Sequence, residues 1–216
     1  MIFVLSILIQ FFLSYLLGSI SGSMLLGKLK KVDIRNMGSG NAGGTNALRT
    51  MGKKFALGVI LIDIFKGYCA VEFLSTLYLF PDSMNSSTSS LAPSICGFGT
   101  VLGHVYPLYY NFKGGKGAGT MVGVLLSIYP FSLIFCLVLW LISLTLTGYV
   151  GFSTIIAGIA LPIYVTLFYN PGILTPFGIF TIFISIFILY THRANINRMI
   201  LGEENRFLNV MIFKRK

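Results

Sequence analysis

Lys113 and Lys116 enclose a Gly-Gly pair, and Gly117 follows at once, in the stretch NFKGGKGAGT from Asn111 to Thr120. Glycines at 114, 115 and 117 let main-chain N–H groups approach an anion while the lysines supply charge, so the segment suits a phosphoryl group. A second stretch, GSGNAGGTNALR from Gly38 to Arg49, holds four glycines, four small polar residues and one arginine in twelve positions. Such a composition excludes a packed apolar helix. Its Gly40 and Gly43 amides, with Asn41, Thr45 and Asn46, can converge on an anion, and a helix starting near Thr45 would add its dipole. A flexible interhelical loop is the plain alternative. A third stretch, HRANINRMILGEEN from His192 to Asn205, brings a histidine, asparagines and two arginines ahead of Glu203 and Glu204. Alone it reads equally as an amphipathic, lipid-lying tail. Together the three stretches offer Arg49, Lys113, Lys116, Arg193 and Arg198, which is provision for more than one phosphate.

Several familiar chemistries are excluded. GSMLLGKL (Gly22 to Leu29) fits G-x-x-x-x-G-K, but Leu29 stands where a hydroxyl must meet Mg²⁺, and GGKGAGT places Gly117 there. Neither is a nucleotide-binding P-loop. Asp33, Glu203 and Glu204 are the carboxylates expected on the basic face, too few to cage a metal, and no cofactor is expected. Cys69, Cys96 and Cys136 have no metal-type spacing and read as small apolar side chains.

The elements that must position these stretches are membrane helices. The 216 residues are 55% apolar and 10% charged, against about 25% charged in soluble domains. The net charge of +10 does not point to nucleic acid, because its distribution is that of membrane topology. Seven of the sixteen Lys/Arg lie between Lys28 and Lys54, two are Lys113 and Lys116, six lie from Arg193 to Lys216, and Lys66 stands apart. Clusters of this kind mark cytoplasmic segments, here about 28–54, 111–118 and 192–216.

The expected architecture is all-α and integral to the membrane, a single domain over 1–216 with about seven transmembrane helices, the N-terminus outside and the C-terminus cytoplasmic. Ile2–Leu26 reads as a retained first span, Phe55 to about Phe80 as the second, PDSMNSSTSS (Pro81 to Ser90) as an external loop, and Leu91 to about Tyr110 as the third. From Gly117 to His192 there is no Asp, Glu, Lys or Arg. Both flanks are basic, so this stretch crosses an even number of times, and four spans fit, broken near Pro130, Thr147–Gly151 and Asn170–Pro176. Gly18 and Gly22 form a G-x-x-x-G packing face. Asp63 and Lys66, three apart on the second span, read as an ion pair supporting the first stretch, and His104 as a hydrogen-bonded packing residue.

SGNAGGTNALR (Ser39–Arg49), GHVYPLYYNFKGGKGAGT (Gly103–Thr120) and HRANINRMILGEEN (His192–Asn205) closely resemble, in order and spacing, three motifs of the bacterial acyl-phosphate:glycerol-3-phosphate acyltransferases. GKLKKVDIRNMGSGN and DIFKG (Asp63–Gly67) look like that family too. The resemblance implies a seven-helix enzyme of the bacterial inner membrane, serving phospholipid synthesis. It would move a fatty acyl group from acyl phosphate to the sn-1 hydroxyl of glycerol 3-phosphate, giving lysophosphatidic acid and phosphate. It leaves room for a soluble partner that makes acyl phosphate.

Carried over residue by residue, the family's essential serine and arginine fall on Ser39 and Arg49. Its glycerol-phosphate segment falls on Lys113, Gly114, Gly115, Lys116 and Gly117, and its third-motif histidine, asparagine and glutamate on His192, Asn195 and Glu204. Gly44 and Gly119 stand where alanine is usual, and Gly148 and Gly151 where arginine and serine are common, which leaves Thr154 as the nearby hydroxyl in that loop.

The chemistry requires holding two mutually repelling anions together, a task for cations and N–H donors rather than a strong base. No H-x-x-x-x-D pair is present. A phosphate oxygen of the substrate is the expected proton acceptor, with Ser39 and His192 as positioners, and an acyl-Ser39 intermediate is the alternative. A transporter of a phosphorylated metabolite would want similar residues, but it would place charge at the midplane.

Overall fold

A computed structural model describes residues 2–77 and 86–213. Among them the chain forms α-helices and short turns, with no strand. The helices are α1 (Ile2–Gly18), α2 (Gly22–Leu29), α3 (Gly44–Met51), α4 (Lys53–Cys69), α5 (Ser86–Val105), α6 (Ala118–Ile128), α7 (Pro130–Thr147), α8 (Val150–Phe168), α9 (Pro176–Thr191) and α10 (Arg193–Ile200). Their contacts divide the chain into two units, Met1–Ile128 and Tyr129–Lys216.

Among the described residues, three stretches are long and apolar enough to cross a membrane: Ile2–Leu29, Pro130–Thr147 and Val150–Phe168. A fourth arises if α9 and α10, bent by 50°, count as one. The eleven-residue α6 is about 16 Å long, short of the roughly 30 Å hydrocarbon layer.

In the first unit α1 packs on α5, and α4 on α6. Both contacts are so close that a Cβ on Gly103 would land on the Tyr15 carbonyl, and one on Gly123 on the Ile64 carbonyl. This is packing through small residues, the mode that works where lipid offers no hydrophobic drive. Helix α1 shows it inside out. Its buried residues are Ser6, Gln10, Ser14 and Gly18, four apart, while Leu5, Leu8 and Phe12 face outward. The expected first span is broken at Ser19–Ser21, where the Ser21 hydroxyl accepts from Met24 N to cap α2. Gly18 and Gly22 therefore pack separately, on Thr100 of α5 and Val59 of α4. The expected end of the second span, about Phe80, lies outside the described residues. Helix α4 passes into a π turn, Ala70–Leu74. Helix α5 starts at Ser86, inside the stretch expected as a loop, whose first five residues lie outside those described. It ends at Val105 because Pro107 disfavours helix in the residue before it.

In the second unit α8 packs between α7 and α9. The three expected breaks are the observed ones. Pro130 opens α7, Gly148 closes it at φ +74°, and Thr175 caps α9 by accepting from Gly178 N ahead of Pro176. Tyr129, Tyr169 and Phe177 cluster at one end, with ring centroids 5.0 and 5.3 Å apart.

Candidate active site

The first glycine-rich loop is pinned from below. Asp33 accepts from Arg35 N at 2.9 Å, from Nε at 3.0 Å and from Nη2 at 2.7 Å. Those guanidinium bonds hold the Asp33 carboxyl below the usual carboxylate range. Ile34 is fully buried among Ala42, Ala47, Ala56 and Val59, which fastens the loop to α3 and α4. Asn46, 1% exposed, accepts from Ser39 N at 2.9 Å and donates to Ile34 O and Met37 O at 3.2 and 2.9 Å. The sequence suggested a phosphate contact for this amide; the structure shows it holding loop backbone. Gly38 and Gly40 have φ of +56° and +73°, a region costly for other residues. Helix α3 begins at Gly44, one residue before the expected start, and Gly43 N donates to Asn41 O at 3.0 Å. Ser39 is exposed, whereas Asn41, Thr45 and Arg49, the last in the final turn of α3, are partly exposed.

The second loop folds back on the end of α5. Gly114 N donates to Val105 O and Gly115 N to His104 O, both at 3.1 Å, satisfying carbonyls the helix end would orphan. These two amides therefore face the helix rather than solvent. A Cβ on Gly114 would land on the His104 carbonyl, and one on Gly115 on His104 Nε2. Gly117 turns the chain into α6 at φ +92°. Lys113 is exposed and Lys116 partly so.

Beneath this loop lies a buried charged cluster. Lys66 Nζ is 3.1 Å from Asp63 Oδ1 and 2.9 Å from His104 Nδ1, and it donates to Gly18 O at 2.8 Å and Ile20 O at 2.6 Å. Asp63 Oδ1 also accepts from Gly22 N at 3.2 Å. The pair thus satisfies backbone groups released by the α1–α2 break, which have no water to turn to inside a membrane. The ion pair read from the sequence is present, and it supports that break and His104.

Both loops open onto one polar cavity of about 420 Å³, lined by Asp33, Arg35, Asn36, Gly40, Asn111, Lys113 and Gly114. Arg35 Nη1 ties them together by donating to Tyr110 O at 3.0 Å. Of the expected site residues this lining gathers Gly40, Lys113 and Gly114; Ser39, Arg49 and Lys116 lie outside it. Sequence reasoning missed Arg35, Asn36 and Asn111. The available signal was Asp33–Arg35, opposite charges two residues apart just ahead of the glycines.

In the second unit the third stretch forms a compact polar knot. Glu204, 7% exposed, accepts from Asn195 Nδ2 at 3.0 Å and Arg198 Nε at 2.7 Å. A Cβ on Gly151 would lie 2.8 Å or less from the Asn195 amide, so the glycine there makes room for it. His192 is buried at the α9–α10 bend, its Nδ1 2.9 Å from Ile188 O. A carbonyl can only accept, so Nδ1 carries a proton. The Thr154 hydroxyl accepts from Trp140 Nε1 at 3.2 Å and donates to Val150 O at 2.9 Å, tying α7 to α8. Arg193 lies 4.2 Å over the Tyr190 ring and Arg206 4.5 Å over that of Tyr149. Of the glycines standing where alanine is usual, Gly119 has room, its Cβ meeting Asp63 Cβ at 3.4 Å, whereas Gly44 would press on Ile60 Cγ1 at 2.5 Å.

Among known proteins, the profile of the family described as Glycerol-3-phosphate acyltransferase matches residues 8–202. A Chlorobium luteolum protein named glycerol-3-phosphate acyltransferase is 38% identical over 218 residues, spanning 89% of this chain and 93% of its own. Two crystal structures of PlsY (YgiH), an integral membrane glycerol 3-phosphate acyltransferase, share the fold. Its glycerol 3-phosphate form gives a TM-score of 0.79 at 35% identity, covering 94% of this chain and 96% of that one. Its lysophosphatidic acid form gives 0.77 at 34%, covering 94% and 95%.

Proposed function

The chain belongs to the glycerol-3-phosphate acyltransferase family, and from that membership we propose that it moves a fatty acyl group from acyl phosphate to the sn-1 hydroxyl of glycerol 3-phosphate. The hydroxyl oxygen forms a bond to the acyl carbonyl carbon, the bond from that carbon to the phosphate oxygen breaks, and the hydroxyl proton passes to a phosphate oxygen. The products are lysophosphatidic acid and inorganic phosphate. The glycerol 3-phosphate and lysophosphatidic acid forms of the related crystal structures support this substrate and product. The observation that carries the reading is the cavity onto which both glycine-rich loops open, with Lys113 in its wall.

In the first unit Lys113 and Lys116 hold the phosphate of glycerol 3-phosphate, and Arg49 holds the transferring or leaving phosphate in a two-pronged fork. Ser39 positions by hydrogen bonding. In the second unit His192 positions in the same way, while Asn195 is held in place by Glu204. The proposed setting is the bacterial inner membrane, with seven spans, the N-terminus outside and the C-terminus cytoplasmic. Among the described residues, six helices of sixteen residues or more are its support, with the shorter α6 as the proposed seventh. A soluble enzyme supplies the acyl phosphate.

The test is turnover by purified protein in detergent. An enzyme makes lysophosphatidic acid without a sealed compartment, and Lys113→Met should raise KM for glycerol 3-phosphate about tenfold. Transport into vesicles without turnover would instead establish a carrier.

A further inference from the structure

His104 and Asp63 come within 3.4 Å, which on its face is a histidine–carboxylate dyad. In such a dyad Nδ1–H donates to the carboxylate and Nε2 is left as a base. Here the nearer neighbour of Nδ1 is the Lys66 ammonium, at 2.9 Å. An ammonium has three donors and no acceptor. Gly18 O and Ile20 O take two of the protons. For the third, Nδ1 at 2.9 Å is nearer than Asp63 Oδ1 at 3.1 Å. Nδ1 therefore accepts, and the single proton of the neutral ring sits on Nε2. That N–H edge faces Gly115, where a Cβ would land on Nε2 and lie 2.8 Å from Cε1. His104 is 3% exposed, and Gly115 N donates to its carbonyl. Backbone and ring of one residue thus hold the middle of the Lys-Gly-Gly-Lys loop from two sides.

We propose that His104 is a positioning residue: Lys66 and Asp63 fix its imidazole with Nε2–H turned toward the glycine-rich loop, and this seat sets where Lys113 and Lys116 meet the phosphate of glycerol 3-phosphate. Position 115 is glycine because the ring occupies the space of a side chain, whatever the substrate needs. The same cluster closes the α1–α2 break through Gly18 O, Ile20 O and Gly22 N, so one buried assembly fixes both a helix break and a binding loop. The inference rests on the proposed function for the identity of the substrate.

The test is a double-mutant cycle. His104→Asn keeps an acceptor oxygen within reach of Lys66 but removes the ring. Gly115→Ala alone should raise KM for glycerol 3-phosphate about tenfold, with less than about threefold loss in kcat. In the His104→Asn background the same substitution should add less than about twofold, because the clash is gone. An equal penalty in both backgrounds would mean that the methyl group obstructs substrate, and would overturn the proposal. So would an unchanged KM with lost kcat and a lost acidic limb of the pH profile in His104→Asn, the signature of a base. Should His104→Asn fail to accumulate, the wild type decides the matter alone. The chain has two histidines, and ¹⁵N NMR of the imidazoles should show His104 protonated at Nε2; a proton on Nδ1 overturns the seat. These tautomers and the thermal stabilities of the cycle are readable even if the protein shows no turnover, so a wrong substrate and a wrong seat are separate outcomes.

Discussion

The two glycine-rich loops of the first unit look alike in composition, yet Gly40 in one and Gly114 and Gly115 in the other are glycines for different reasons. In the first, Gly40 is a glycine for torsion, at φ +73°, and Gly38 for torsion at φ +56° and for closeness to the Asn46 side chain. The Asn46 side chain ties the backbone beside them. In the second, Gly114 and Gly115 have ordinary torsions and are glycines for closeness, seated on the end of α5 and the His104 ring. The cations differ too: an arginine at the end of α3 belongs to the first loop, and lysines on flexible stems to the second. A glycine in a binding motif thus has at least two physical causes, and they answer differently to mutation.

The largest effect should fall on the first loop's cation. Arg49→Lys keeps charge but loses the fork, and should cost about 2–4 kcal/mol of transition-state stabilisation in kcat/KM, by analogy with a lost oxyanion donor. Lys113→Arg should lose less than about tenfold, since a point charge suffices there. Equal losses at both sites would erase the contrast between fork and point charge.

Glycine substitutions sharpen the other half. Gly114→Ala drives a methyl group into backbone carbonyls and should destabilise by roughly 1–3 kcal/mol, with Gly114→Asn no better. At Gly40 the nearest atom to an added Cβ is Arg35 O at 3.3 Å, so the penalty is torsional. Gly40→Ala should therefore cost about 1–2 kcal/mol and Gly40→Asn about half that, because asparagine tolerates the left-handed region. Thermal unfolding in detergent measures all four, and rescue by asparagine at 114 would show the assignment of causes to be wrong.

The smallest effect is pH-dependent. Arg35 lowers the folded pKa of Asp33, so the stabilisation is complete above the unfolded value of about 3.9 and disappears as pH falls through the lower folded value. For so exposed a pair it amounts to at most about 1 kcal/mol. Wild type and Asp33→Asn should differ at pH 7 and converge in acid; a gap that widens in acid contradicts the assignment.

Much of this was legible in the sequence because its signals are local. Pro130, Gly148 and the Asn170–Pro176 turn mark helix ends by backbone chemistry alone, and the uncharged stretch from 118 to 191 does contain four helices. What stayed hidden depends on long-range partners. The run from Gly18 to Gly22, with Ser21 as the cap of α2, was the local sign of a break in the first span, but the groups that satisfy the break, Asp63 and Lys66, lie more than forty residues on. His104 read as a hydrogen-bonded packing residue, and it is buried and bonded, but that its partners are Lys66 and the Gly115 loop shows only in the fold. The histidines make the same point. In the proposed seat His104 accepts at Nδ1 from Lys66, whereas His192 donates from Nδ1 to Ile188 O. The two rings thus meet different partners at Nδ1, a distinction sequence does not carry.

The central claim is that acyl phosphate, and no thioester, is the donor. Purified protein in detergent, mixed with glycerol 3-phosphate and acyl phosphate and followed by ³¹P NMR, should show lysophosphatidic acid and inorganic phosphate rising in equal amounts. The same mixture with acyl-CoA or acylated carrier protein should stay unchanged. Product from a thioester donor, or phosphate released without lysophosphatidic acid, would contradict the account.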